Sequence, residues 1–240
     1  MGFPKVDPIP VPAPVWLLKL LSLLTLSLHF AAVMFLVGLL LMTIGLQLSG
    51  RGKKDPNRLS AAYVLARRMP VLMTFVINLG VPPLLFLQVL YGRAVYSSSV
   101  LIGVFWFSVI LLVMLDYWLL YRTVAWIEAK KAAWVPALFA LLVTMGIGQI
   151  YAMNMTLMLR PEAWAELYRH SPSGLQGPGH DPTMMPRWLF VMAGGPMFGG
   201  LAGLPLYLQI VKGNTPTRAG LLLIPLTLGI MSGSIASGQI

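Results

Sequence analysis

The sequence contains no cysteine and has few charged residues. Without cysteine the chain cannot form structural disulfides, thiolate metal sites, cysteine-ligated iron–sulfur clusters or covalent c-type haem attachments. A redox cofactor would have to be held by histidine, methionine or non-covalent contacts. Charged residues make up 10% of the chain, against about 25% in soluble globular domains. The ordinary water-soluble classes of protein are therefore excluded.

Acidic residues are especially scarce. Seven Asp and Glu stand against 17 Lys and Arg, which gives a formal net charge of +10. In a soluble protein that excess would indicate nucleic-acid binding. Here 58% of the residues are hydrophobic, and the basic residues lie in short clusters between long apolar runs. This pattern is typical of membrane topology, with the lipid bilayer as partner and no nucleic acid.

Long stretches without Asp, Glu, Lys or Arg divide the chain. A helix needs roughly 20 apolar residues to cross a bilayer, and six stretches are long enough: 20–50, 69–92, 94–115, 132–159, 188–211 and 219–240. We expect an all-α polytopic membrane protein with about six transmembrane helices. The predicted organisation is a Pro-rich extended arm (1–15), a helical membrane bundle (16–195, with spans at about 16–48, 69–92, 95–121, 132–159 and 188–211) and Gly-rich C-terminal helices (196–240).

Prolines and basic residues predict how the chain enters the membrane. Prolines at positions 4, 8, 10, 12 and 14 prevent a helix before about residue 15. Basic residues are most frequent in the loops that follow the first and third spans. The positive-inside rule places those loops in the cytoplasm and the N-terminus outside. We therefore expect a multi-pass protein of a bacterial inner membrane.

His29 is the one histidine within a predicted span. An ionisable residue at bilayer depth is costly, which makes it a candidate functional residue. It could ligate the iron of a b-type haem or hydrogen-bond a quinone. Alternatively, it bonds the backbone of a neighbouring helix. A bis-histidine haem is not available within this chain.

Asp116 is the second ionisable residue inside a predicted span. Because Arg122 follows six residues later, we expect Asp116 toward the cytoplasmic end of its helix. It could relay protons, or it could pair with an interfacial arginine such as Arg67 or Arg68. Interface pairing is the favoured interpretation.

The second predicted span contains Pro82 and Pro83, which remove two backbone donors and are expected to bend the helix. The bend would free carbonyls near Asn78 and Gly80. Broken helices with a polar residue often line a site, so Asn78 is a candidate cofactor-binding residue. Transmembrane helices also tolerate proline for structural reasons, and the sequence does not separate the two interpretations.

The remaining patterns concern packing and absent motifs. Glycines four residues apart permit close helix packing, and they occur at Gly195, Gly199 and Gly203 and again at Gly229 and Gly233. The sequence has no nucleotide-binding loop, no HExxH motif, no Ser-His-Asp set and no carboxylate pair, so no catalytic residue is assigned. His170 and His180 share a Gly/Pro loop and are weak metal candidates, and we predict no metal site.

Residues 16–195 resemble polytopic membrane proteins that accompany multihaem cytochromes in bacterial respiratory gene clusters. The resemblance rests on the runs LHFAAVMFLVG, INLGVPPLLFLQVLYG, YSSSVLIGVFW and MMPRWLFVMAG. A helix with His followed by Phe and small residues is also similar in outline to quinol-oxidising cytochrome bd-like subunits. The resemblance implies haem b or quinone as cofactor and a cytochrome as partner.

Residues 204–240 resemble a different family, the 14-helix drug:proton antiporters of the major facilitator superfamily. The matching features are Leu-Pro-x-Tyr-Leu-Gln at a helix end, Gly213 with Thr215-Pro216, and Ala219-Gly220. This resemblance implies that the loop before Ala219 is extracytoplasmic, whereas the charge count places 212–218 in the cytoplasm. Either the last helices are oriented as in the antiporters, or the chain joins two proteins near residues 196–204.

The favoured function is an integral membrane subunit of a respiratory electron-transfer complex, which anchors or links a cytochrome partner to the quinone pool. In that interpretation the chain is a non-catalytic subunit of an oxidoreductase complex rather than an enzyme in its own right. The alternatives are a fragment of a proton-coupled transporter and a purely structural membrane anchor.

Overall fold

The computed structural model describes residues 10–170, 173–177 and 181–225, and all the regular structure in these ranges is helical. The helices are α1 (Val15–Gly52), α2 (Pro56–Leu101), α3 (Gly103–Glu128), α4 (Trp134–Met158), a short 3-10 turn (Pro161–Ala163), α5 (Trp164–His170) and α6 (Met184–Ile210). Residues 216–225 are helical as well. The prediction of an all-α protein is confirmed.

Five of these helices, α1 to α4 and α6, are long and apolar enough to cross a membrane. Their outward faces carry large apolar side chains such as Phe107 and Leu111, which are 75% and 69% exposed. Side chains of this kind require a lipid environment. The chain is therefore a multi-pass membrane protein. The sixth predicted span, 219–240, lies mostly outside the described residues, as does most of the Pro-rich arm.

Helix α1 begins at Val15, directly after Pro14, close to the predicted start. Helix α2 begins earlier than predicted because Asp55 caps it: the Asp55 carboxylate accepts hydrogen bonds from the backbone N–H groups of Asn57 and Arg58. Partial desolvation raises the pKa of Asp55, but the bonds from Arg58 and Asn57 outweigh it and lower the pKa overall.

The turn between α2 and α3 differs from the prediction. The sequence predicts it at residues 93–94, but α2 continues past Arg93 and the turn is at Ile102. The α2 backbone leaves helical geometry at Tyr91 (φ −131°, ψ 32°). The last turns of α2 persist because Ser98 is fully buried and bonds Asn154 of α4. The exposed Arg93 does not end the helix.

Helices α1 and α6 run parallel along a seam of small residues. A Cβ atom on Gly38 would lie 2.3 Å from the Gly195 carbonyl oxygen and 2.3 Å from the Gly199 Cα. Further along, Gly203 faces Met42 of α1. The structure thus places three of the predicted packing glycines against α1, while Gly229 and Gly233 lie outside the described residues.

The parallel arrangement fixes where the turn after α6 lies. Since α1 ends at Gly52 and α6 at Ile210, the 211–215 turn lies at the same end of the bundle as the α1–α2 and α3–α4 loops. This is the side that the charge count predicts. At the opposite end, backbone hydrogen bonds join the loop after α5 to the α2–α3 turn, from Val104 N to Gly174 O and from Gln176 N to Leu101 O, both 3.1 Å long.

Candidate functional site

A cavity of about 650 Å³ lies among α1, α2, α3, α4 and α6. Its wall is mainly apolar and includes Phe30, Val33, Met73, Trp106 and Trp188. Cavities of this size and character hold small lipophilic ligands. The cavity is the candidate site because its wall includes both ionisable residues of the predicted spans, His29 and Asp116, together with the buried Thr144 and Asn154.

The exposed part of the wall shows where the cavity opens. Val81 on α2 and Ile110 and Met114 on α3 line it, and each is at least half exposed on the surface. The opening therefore lies between α2 and α3 in the apolar zone of the bundle. A ligand entering by this route comes from the bilayer.

His29 lies on the cavity wall and is held by α2. Its Nδ1 atom is 3.0 Å from the Val76 carbonyl oxygen. The imidazole ring packs against Gly80, where a Cβ atom would come within 2.9 Å of His29 Cε1. The Nδ1 atom of His29 therefore bonds the backbone of a neighbouring helix, which is one of the interpretations given for this residue above. The Nε2 atom has no hydrogen-bond partner among the residues that the structure describes, and it remains available to a ligand in the cavity.

Asp116 does not lie where the sequence suggested. Helix α3 continues beyond Arg122 to Glu128, so Asp116 is near the middle of the helix rather than at its cytoplasmic end. The side chain is fully buried and lines the cavity. Its Oδ2 atom accepts a 2.7 Å hydrogen bond from Thr144, and its Oδ1 atom has no partner within the described ranges.

The expected pairing of Asp116 with an interfacial arginine is not found. None of the ion pairs among the described residues includes Asp116. The Arg67 guanidinium instead stacks over the Tyr63 ring, 5.6 Å from its centroid. A carboxyl group buried inside a membrane-spanning helix bundle without a cationic partner is costly unless it is neutral or bound to a ligand.

The structure places Asn78 outside the cavity. The Asn78 side chain is exposed, and its amide donates to the Thr74 carbonyl on the same helix at 2.8 Å. Pro82 and Pro83 are accommodated within α2, whose one non-helical residue, Tyr91, lies further along. Pro83 lines the cavity. The bend at Pro82 and Pro83 stays a prediction, and the predicted role of Asn78 has no geometric support.

Several polar wall residues were missed by the sequence analysis. Asn154 of α4 is buried and contacts Ser98 and Ser99. Arg187, in the first turn of α6, donates to Thr156 at 3.3 Å at the outer rim. The signal for Asn154 was present, because an amide in an otherwise apolar span needs a partner. Its partners, however, are 55 or more residues away in sequence.

Few polar residues on the wall could hold a cofactor. Among the described residues the wall has one imidazole, that of His29, and one cation, Arg187. A quinone ring needs one or two hydrogen bonds and an apolar enclosure. Among the described residues no group of three or more His, Cys, Asp or Glu could hold a metal ion. His170 is exposed near Glu166, and His180 lies outside the described residues.

Comparison with known proteins gives one short match. No family model matches the chain, and no solved structure matches it. A stretch of 44 residues, 18% of the chain, is 48% identical to a tetracycline resistance determinant of Streptomyces rimosus. The chain spans 13% of the length of that protein, so the match shows local similarity to it and does not assign a family.

Proposed function

We propose that the chain is a membrane subunit that takes a quinol from the bilayer into its cavity and thereby links a cytochrome partner to the quinone pool. The observation that carries this proposal is the His29 ring held on the wall of an apolar cavity open to lipid. The apolar wall accommodates the quinone ring and part of its isoprenoid tail, and the opening between α2 and α3 admits both from the membrane.

The hydrogen bond at Nδ1 selects the redox form of the ligand. A backbone carbonyl can only accept, so the Nδ1 atom facing Val76 carries the proton. In the neutral imidazole, Nε2 is then an acceptor. An acceptor binds the hydroxyl of a quinol and not the carbonyl of a quinone. The reduced form is therefore the expected ligand of neutral His29.

Binding to the purified chain in lipid nanodiscs tests this proposal. We expect a short-chain quinol to bind more tightly than the matching quinone, and His29→Phe to weaken quinol binding about tenfold by removing the acceptor. His170→Phe is the matched control, because His170 is exposed outside the spans. Equal quinol affinity of His29→Phe and wild type would overturn the proposal. A haem band in the visible spectrum that disappears in His29→Phe would show that the ligand of His29 is haem and not quinol.

A second candidate is a segment of a proton-coupled transporter, and the comparison with known proteins favours it more directly. The match to the tetracycline resistance determinant supports it, as does the resemblance of residues 204–240 to drug:proton antiporters. Asp116 is buried at the cavity and has no cationic partner among the described residues. In a proton-coupled transporter it would be the group that binds and releases the proton.

Transport by the purified chain in liposomes separates the two candidates. The transporter candidate predicts uptake of a lipophilic substrate driven by a pH gradient, abolished by Asp116→Asn and kept in His29→Phe. The quinol candidate predicts no uptake, with quinol binding that depends on His29.

A further inference from the structure

Two basic turns lie side by side at the end of the bundle where α1 and α3 finish. The α1–α2 turn carries Lys53 and Lys54, and the α3–α4 turn carries Lys130 and Lys131. Arg51 joins the turns, since its Nη1 atom donates to the carbonyl oxygens of Lys130 (3.1 Å) and Lys131 (2.8 Å). These four lysines are called the four-lysine cluster below.

The backbone of both turns is fixed by hydrogen bonds. Asp55 N donates to Gly50 O at 2.8 Å in the first turn, and Lys131 N donates to Trp126 O at 2.8 Å in the second. Each turn has one residue in the left-handed region, Lys54 at φ 52° and Lys130 at φ 55°. The four ammonium groups therefore extend from two defined and linked backbones rather than from independent loops.

Two acids near the cluster, Asp55 and Glu128, stand against its four lysines. Asp55 is paired with Arg58 at 3.0 Å, and Glu128 accepts a 2.7 Å hydrogen bond from the Tyr63 hydroxyl. The ion pairs of the described residues include no lysine of the cluster. All four lysines are exposed. The cluster thus presents a net positive charge.

The position of the cluster identifies the anion that it meets. Both turns join helices that are long and apolar enough to cross a membrane, so they lie together on one side of the bilayer, where lipid phosphates are the nearby anions. We propose that the four-lysine cluster binds an anionic phospholipid, with a preference for one that carries two phosphates on one headgroup, as cardiolipin does. Each lysine pair contacts one phosphate, and Arg51 sets the separation of the two pairs. This site is independent of the cavity and of its ligand.

Lipid binding to the purified full chain in detergent tests the site, with native mass spectrometry as the readout. Wild type is expected to retain cardiolipin in preference to phosphatidylglycerol and to retain phosphatidylcholine least. The variant Lys53→Gln/Lys130→Gln removes one charge from each turn and is expected to weaken cardiolipin binding roughly tenfold or more. Arg93→Gln/Arg169→Gln removes two exposed charges at the opposite end and is the matched control, expected to bind as wild type does.

Arg51→Gln sharpens the test because it keeps every charge of the cluster. It is expected to reduce the preference for cardiolipin over phosphatidylglycerol while leaving binding of phosphatidylglycerol nearly unchanged. Equal loss of cardiolipin in the control variant, or unchanged binding in Lys53→Gln/Lys130→Gln, would overturn the proposal. Both double variants exchange exposed polar side chains, and their helical circular dichroism verifies that each is folded.

Discussion

The α1–α6 seam and the α2–α3 side of the cavity are two regions of one bundle with opposite packing. At the seam, Gly38, Gly195 and Gly199 bring two backbones into direct contact. On the other side, the large residues Ile110 and Met114 of α3 line an opening toward lipid. Because lipid tails are as apolar as leucine, membrane helices associate through close packing rather than through hydrophobic burial. Helices of this bundle therefore pack in direct contact where their facing residues are small, and they leave an opening to lipid where the facing residues are large.

The largest expected effect comes from breaking the seam. Gly199→Leu would push a side chain into the backbone of Gly38, whose Cα would lie 2.4 Å from the new Cβ. Neither backbone can yield, so we expect a loss of about 3 kcal/mol or more in stability, or no folded protein. Thermal unfolding in detergent measures it. Gly45→Ala is the control, because nothing lies within 4 Å of a Cβ there. An equal loss of stability in Gly45→Ala would show that close packing at the seam is not what stabilises the bundle.

A smaller effect is expected where α2 meets His29. In Gly80→Ala the new Cβ would lie 2.9 Å from His29 Cε1, so the ring must turn away from Val76. The expected cost is about 1 kcal/mol from the lost hydrogen bond, together with weaker quinol binding. Gly146→Ala, with no neighbour within 4 Å, should change neither. Unchanged quinol affinity in Gly80→Ala would mean that the His29–Val76 contact does not orient the ligand.

The buried pair of Asp116 and Thr144 gives a directional prediction. Thr144→Val removes the donor to Asp116 Oδ2 and leaves a fully buried carboxyl without its described partner. We expect a loss of about 1–3 kcal/mol. Asp116→Asn keeps an acceptor for Thr144 and removes the charge, so its stability should equal or exceed that of wild type. Destabilisation by Asp116→Asn as large as that by Thr144→Val would indicate a cationic partner for the carboxylate.

The smallest effect is expected inside the cavity wall. In Gly148→Ala the new Cβ would lie 2.8 Å from the terminal methyl of Met192, which can rotate into the open space. Stability should change by less than about 1 kcal/mol, since methionine adapts its shape readily. Quinol affinity should fall slightly because the cavity is narrower. A large loss of stability would show that the wall is rigidly packed and that the space is not available to a ligand.

The helices were predictable because each span is a long apolar run, and Pro14 marks the start of α1. The end of α2 differs from the prediction because Arg93 does not end the helix, which Ser98 and Asn154 keep packed to Leu101. A hydrogen bond between residues 56 positions apart leaves no local pattern in the sequence. Helix ends set by such contacts cannot be derived from composition.

The site was predictable in its residue types but not in its geometry. His29 and Asp116 were identified because ionisable residues are rare in spans, yet Val76 and Thr144, which hold them, have no distinctive local pattern. The position of Asp116 along its helix differs from the prediction because α3 does not end near Arg122 but extends to Glu128. Gly38 was missed since it has no small residue four positions away, and its partners are on α6.

Photocrosslinking tests most directly whether a lipophilic ligand occupies the cavity behind the α2–α3 opening. The purified chain in nanodiscs is labelled with a photoreactive quinol analogue, and the attachment sites are mapped by peptide mass spectrometry with and without excess quinol. We predict labels on wall residues such as Val33, Trp106 and Trp188 that excess quinol suppresses. Ligand binding in the cavity would be contradicted if the labels lie only on lipid-facing residues such as Phe107 and Leu111 and excess quinol does not suppress them.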